Sequence, residues 1–186
     1  ASAEGLDAAI DMMKPGVTLS SIGSAVSKAI SSYDFKPVDN LTGHSLEQFV
    51  LHSGISVPSV PELMNKYKIK EGDVLAIEPF ATNGAGHVIS RSGSNIFRSS
   101  NSVKSKFVRD KRAKLMHNRL VKTFKTLPFA ERWTTNLFKN NGAILRRLSF
   151  LGLLKHYPSL VDAGNGIVTQ KEHTVIVTED GCEVTT

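Results

Sequence analysis

Fourteen of the chain's 23 Lys and Arg residues lie between Val103 and His156, opposed there only by Asp110 and Glu131. That is a local charge of +12 in a chain whose net charge is +6, so the remainder carries −6 (6 − 12). Such segregation marks a segment with its own surface role. The apolar pattern changes at the same place. Ahead of the block, Leu6, Ala9, Ile10 and Met13 recur at helical spacing over residues 3–13. Lys14-Pro15-Gly16 stops that helix, because proline cannot continue it and glycine accepts turn dihedrals. Ile22, Ala25, Val26, Ala29 and Ile30 then share one face of a second helix, behind capping hydroxyls at Thr18 and Ser20. "GISVPSVP" is extended and proline-broken, and a turn at Gly72 enters a short buried strand, Val74 to Phe80.

Inside the block three helices are expected. "KFVRDKRAKLMHNRLVKTF" sets Phe107, Val108, Leu115, Leu120 and Phe124 against many cations. "TLPFAERWTTNLF" opens a second, with Thr126 as cap and Pro128 in the first turn. "GAILRRLSFLG" is the third, closed by Gly152. Strands return at 167–169, at 174–178 and after Asp180-Gly181. The order predicts an α+β fold in three parts: helices and strands over 1–102, a basic helical insertion over 103–156, and final strands over 157–186.

At 186 residues the chain suits one ordinary domain or most of a larger one. It begins with Ala1, which points to a processed product or a piece of something longer. No apolar run approaches the roughly 18 residues of a bilayer span, and the first residues lack the pattern of a signal peptide, so a cytoplasmic location is the expectation. Cys182 is the only cysteine, which rules out a disulfide framework and a thiolate zinc site within the chain. Any metal must be held by His, Asp or Glu.

The candidate ligands stand out against apolar surroundings. In a straight strand His44 and His52 would share a face about 26 Å apart, too far to bind one ion; a turn around Gly43 would relax this. Glu78 lies inside "VLAIEPF", where burial is costly unless the carboxylate is paired or bound to a cation. Glu172 repeats the situation in "QKEHTVIV". One histidine with two strand-borne glutamates suits Mn, Fe, Co or Zn. The bland readings are a hydrogen-bonded structural histidine and an edge glutamate facing water. "TNGAGHV" reads as a tight turn rather than a phosphate loop, because no helix follows it. His117 and His156 read as surface or capping residues, His173 as structural, and Cys182 as an inert buried thiol.

The ordered words "NLTGHSLEQFVLHSGISVP", "EGDVLAIEPFAT", "LPFAERW" and "EHTVIVTEDGCEVTT" resemble the second half of type II methionine aminopeptidases, the archaeal and eukaryotic form. The resemblance implies a pita-bread fold, incomplete at its N-terminus, with residues 1–102 and 157–186 in the catalytic domain and 103–156 a helical, winged-helix-like insert between its last strands. It implies two divalent metal ions bound by His44, Glu78 and Glu172, with Glu172 bridging the pair and Glu78 also moving a proton. His52 would contact the substrate near the scissile bond, with Leu51 and Tyr157 lining the methionine pocket. The substrate would be the N-terminal methionine of nascent chains, and the full-length protein a monomer. The family's complete site has five ligands; the remaining two are aspartates on strands ahead of the first helix here. Glu4, Asp7, Asp11, Asp34 and Asp39 lack that context, so these 186 residues alone are expected to bind metal weakly and not to turn over. From another class, a non-catalytic pita-bread protein could bind RNA or ribosomes through the basic block. Prolidase- or creatinase-like hydrolases share the metal logic but lack "LPFAERW" between the last two glutamates.

Overall fold

A computed structural model describes residues 1–100 and 108–186, which form two compact units, Ala1–Ile89 with Leu160–Thr186, and Ser90–Ser159. The second unit is wider than the basic stretch, because the long strands that carry the chain into it and out of it belong partly to it. Phe107 of the first expected basic helix lies outside the described residues.

In the first unit, helix α1 (Ser2–Asp11) buries Leu6 and Ala9, and Gly16 makes the expected turn with φ +88°. Helix α2 (Leu19–Ser31) starts at Thr18, whose hydroxyl accepts from the Ser21 amide; Ser20 already lies inside the helix and does not cap it. α2 buries Leu19, Ile22, Val26 and Ile30. The strands are β1 (Lys36–Pro37), β2 (Thr42–Ser45), β3 (Ser56–Pro58), β4 (Val74–Ile77), β5 (Phe80–Thr82), β9 (Val168–Gln170), β10 (His173–Val177) and β11 (Cys182–Val184). They form an antiparallel sheet in the order β11-β10-β4-β2-β3 and a smaller antiparallel one, β1-β5-β9. Both helices share one core with the larger sheet through Leu6, Ile22, Ile30, Leu75, Ile77 and Val175.

The single strand expected over 74–80 is two strands in two sheets. Pro79 has no amide hydrogen to give to a ladder, and the chain leaves the larger sheet after Ile77 to join the smaller one at Phe80. The partner ribbon breaks at the same level. Ile77 faces His173 in one sheet and Phe80 faces Gln170 in the other, so Glu78-Pro79 lies across from Lys171-Glu172.

The second unit is not purely helical. Strands β6 (Val88–Ser99), β7 (Pro128–Ala130) and β8 (Leu154–Asp162) form a sheet in the order β7-β6-β8 beside helices α3 (Lys111–Phe124) and α4 (Asn141–Phe150). β6 and β8 were not anticipated as strands. The helix expected from Pro128 is instead β7 followed by one 3-10 turn, Glu131–Thr134. Tertiary packing overrides local propensity there. Phe129 pairs with Phe97 across the ladder and stacks on Phe124 with ring centroids 4.5 Å apart. Asp110 caps α3 by accepting from Ala113, and Gly152, at φ +71°, follows α4 as expected. His117 is buried in α3 rather than at the surface, on the side where Ala113 and Leu120 face the core. His156 is exposed, and its Nε2 donates to the Ser94 carbonyl.

Candidate metal and active site

β2 delivers His44, and the chain then folds back on itself between Glu47 and Val50, whose amides and carbonyls pair. This reversal brings His52 back to His44 with ring centroids 4.3 Å apart, not the separation of a straight strand. Ser45 holds the loop closed. Its hydroxyl accepts from Ser53 Oγ at 2.8 Å and from the Ile55 amide at 2.9 Å, while its carbonyl accepts from the Ser53 amide.

His44 Nδ1 lies 3.3 Å from the Ser45 carbonyl. A carbonyl oxygen only accepts, so the proton is assigned to Nδ1 and Nε2 presents a lone pair. That lone pair points at Glu78 Oε1, 3.4 Å away, with the two side chains only 8% and 15% exposed. With His44 neutral and Glu78 ionised, two electron-pair donors face each other here, an arrangement a shared cation relieves.

Glu78 and Glu172 occupy the matched strand breaks. Gln170 Nε2 stands between them and donates to Glu78 Oε2 at 2.8 Å and to Glu172 Oε2 at 3.3 Å. Burial first, and then the charge of Glu172, push the Glu78 carboxyl up to about 7, against the opposing pull of the Gln170 amide. Among the described residues, no three His, Cys, Asp or Glu side chains are gathered closely enough to hold a metal ion by themselves. The donor set nonetheless fits a divalent cation in kind, with one bare imidazole nitrogen and two carboxylates held apart by a bridging amide hydrogen.

A cavity of about 320 Å³ adjoins these groups, lined by Leu41, Thr42, His52, Glu78, Phe80, Val88, Leu160 and Val168. A second, of about 330 Å³, lies along His44 and His52. Leu51 is half-buried beside His52 and lines neither cavity, and Tyr157 lies on β8 within the second unit. The sequence reading passed over Thr42, Phe80 and Gln170, although each stands within a word or one residue of a word it singled out, as in "LTGH", "IEPF" and "QKEH".

Asp162 was missed altogether. Its buried carboxylate accepts from the amides of Ala85, Gly86, Gly164 and Gly166 and from Thr82 Oγ1, tying the loop after β5 to the loop after β8. The amide donors, Ala85 foremost, hold its pKa down at about 2. A Cβ on Gly84 would stand 2.1 Å from Asp162 Oδ1, so the loop closes on the carboxylate only because that residue is glycine.

Residues 1–179 match metallopeptidase family M24. A methionine aminopeptidase of Methanothermobacter thermautotrophicus is 41% identical over the whole of this chain, which spans 62% of that relative's length. Among solved structures, a thermophilic Arx1 superposes with a TM-score of 0.74 at 17% identity, over 99% of this chain and 57% of that one. The methionine aminopeptidase of Rickettsia prowazekii superposes with a TM-score of 0.59 at 16% identity, over 98% of this chain and 48% of that one. The fold is thus the mixed α+β, pita-bread arrangement of these proteins.

Proposed function

The chain belongs to metallopeptidase family M24, and from that premise we propose that it forms the part of a type II methionine aminopeptidase carrying three metal ligands, His44, Glu78 and Glu172. The observation that carries this reading is the bare Nε2 of His44 facing Glu78, with Glu172 one amide bridge away. Two divalent ions bound there supply Lewis-acid activation of water and polarisation of the peptide carbonyl.

The remaining roles belong to the chain's own groups. The Ser45 carbonyl fixes the tautomer of His44, so that Nε2 stays free to bind. The Ser45 hydroxyl sets the loop that holds His52 at the cavity wall, where the imidazole orients the substrate amide. Glu78 is assigned, through the family resemblance, the further task of moving a proton at its carboxylate. Phe80, Leu41, Val88, Leu160 and Val168 give the cavity an apolar wall that fits the thioether side chain of an N-terminal methionine. We assign Leu51 and Tyr157 to the methionine pocket only through the family resemblance.

The test is calorimetric titration of the 186-residue chain with Mn²⁺ and Co²⁺. Weak binding is expected, lost in Glu78→Gln, Glu172→Gln and His44→Ala. Binding unchanged by all three substitutions would remove the assignment. A companion assay follows release of methionine from Met-Ala-Ser with either metal added. These residues alone are expected to be nearly inactive, since the acids of α1 lie on a separate helix and Asp39 is engaged by His87 at 2.7 Å. Robust turnover would show that three ligands suffice.

A further inference from the structure

The second unit has a cavity of its own, of about 420 Å³, between α3 and the start of α4. Its floor is apolar: Ala113, Met116, Ile144 and Leu148 meet there, Ala113 and Leu148 being almost wholly buried. Its rim is cationic, with Arg112, Lys139 and Arg147. Arg147 is engaged, its Nε donating to Asp110 Oδ2 at 2.9 Å, and Asp110 also accepts from the Ala113 amide. Among the described residues, Arg112 and Lys139 have no ion-pair partner. The same rim holds Asn140, which adopts φ +57° and offers α4 no side-chain cap.

We propose that this cavity binds a small amphiphilic anion, an organic carboxylate with an apolar tail, the tail on the α3–α4 floor and the head between Arg112 and Lys139. The volume falls in the range of about 300–1,000 Å³ typical of small-molecule sites. The apolar floor separates this ligand from nucleic acid, whose contacts are mostly to phosphate and sugar and gain nothing from Met116 or Ile144. The two unpaired cations separate it from a neutral lipid or an amine. The site is independent of the reading of His44, Glu78 and Glu172.

The test is an amide NMR titration of the 186-residue chain with sodium octanoate, octylammonium chloride and inorganic phosphate in parallel. Octanoate is expected to shift the signals of Ala113, Ala143 and Ile144 saturably, with octylammonium and phosphate at least about tenfold weaker. Lys139→Glu, and separately Arg112→Glu, should each weaken octanoate by about tenfold while leaving the rest of the spectrum in place. The two side chains are exposed, so neither change threatens the fold. Equal binding of octanoate and octylammonium would overturn the proposal. So would phosphate binding as well as octanoate, shifts mapping elsewhere, indifference to both substitutions, or no saturation at millimolar ligand.

Discussion

A carboxylate is cheap to bury only when donors surround it, and Asp162 and Glu78 show the two extremes within one unit. Asp162 accepts from four amides and a hydroxyl and is held at about 2, whereas Glu78 has one amide donor and a like-charged neighbour and is pushed to about 7. A depressed acid stabilises the fold above its unfolded pKa, and that contribution is lost as pH falls through the folded value. The part due to Asp162 is therefore complete above the ordinary carboxylate range near 4 and disappears towards pH 2. Asp162→Asn should lower the melting temperature at neutral pH by several degrees and flatten the acid limb of a circular-dichroism pH titration; an unchanged acid limb would show that the loops close without the charge. Ser45→Ala leaves the partly buried Ile55 amide without its acceptor, and should cost about 1 kcal/mol in chemical denaturation. Glu78 was legible in the sequence because apolar neighbours flank it on both sides. Asp162 was not, because "LVDAGNG" has the composition of an ordinary turn, and the donors that mark the site, Thr82, Ala85 and Gly86, lie 76–80 positions earlier.

At the scale of elements, the amphipathic helices and most strands of the first unit follow from periodicity, while the turnings between sheets do not. A run such as "VLAIEPF" signals burial but says nothing about where the ribbon changes sheet; that depends on Pro79 and on the break in the ribbon opposite. The expected helix at 128 failed for a related reason, since the ladder to Phe97 outweighs the helical spacing. α2 offers a sharp test of packing against propensity. A Cβ on Gly23 would stand 2.2 Å from the Val60 carbonyl oxygen and 3.2 Å from Pro58. Gly23→Ala gains about 1 kcal/mol of helix propensity but forces an overpacked contact that typically costs about 1–3 kcal/mol, so net destabilisation in urea is expected. α3 carries a pH dependence of its own. Burial pushes the His117 imidazole below its ordinary value, and Nε2 is buried without a hydrogen-bond partner. A base with a lowered folded pKa stabilises the fold above its unfolded pKa and loses that contribution as pH falls below it. The second unit should therefore soften below about pH 6.5, and His117→Leu should remove that slope in melting curves followed across this range.

The whole molecule has two cores in one chain, one of them discontinuous, with residues 90–159 between its parts. The chain leaves on β6 and returns on β8, which are neighbours in one sheet, so the interruption begins and ends close together. Replacing residues 90–159 with a short Gly/Ser turn should leave the first unit folded, with each halving of the connection easing closure by about 0.6 kcal/mol. A dispersed NMR spectrum retaining the contact between His44 and His52 is the expected readout. Among the described residues no helix is long and apolar enough to cross a membrane. The charge block lies inside the second unit, whose bounds are wider because β6 and β8 are long strands of mixed composition that carry no helical or alternating signature.

The pairing of β10 against β4 has a consequence in time. β4 lies between β2 and β10, and its second neighbour is about a hundred residues further along the chain. While a ribosome is still making the intervening residues, β4 presents a free edge of unpaired amides and carbonyls, a template for strands of other chains. Only when β10 docks does that edge vanish, and in the same event Glu172 arrives opposite Glu78. Under the proposed assignment the ligand set is complete only after β10 docks, so a chain stalled before that step would expose the β4 edge and lack Glu172 opposite Glu78.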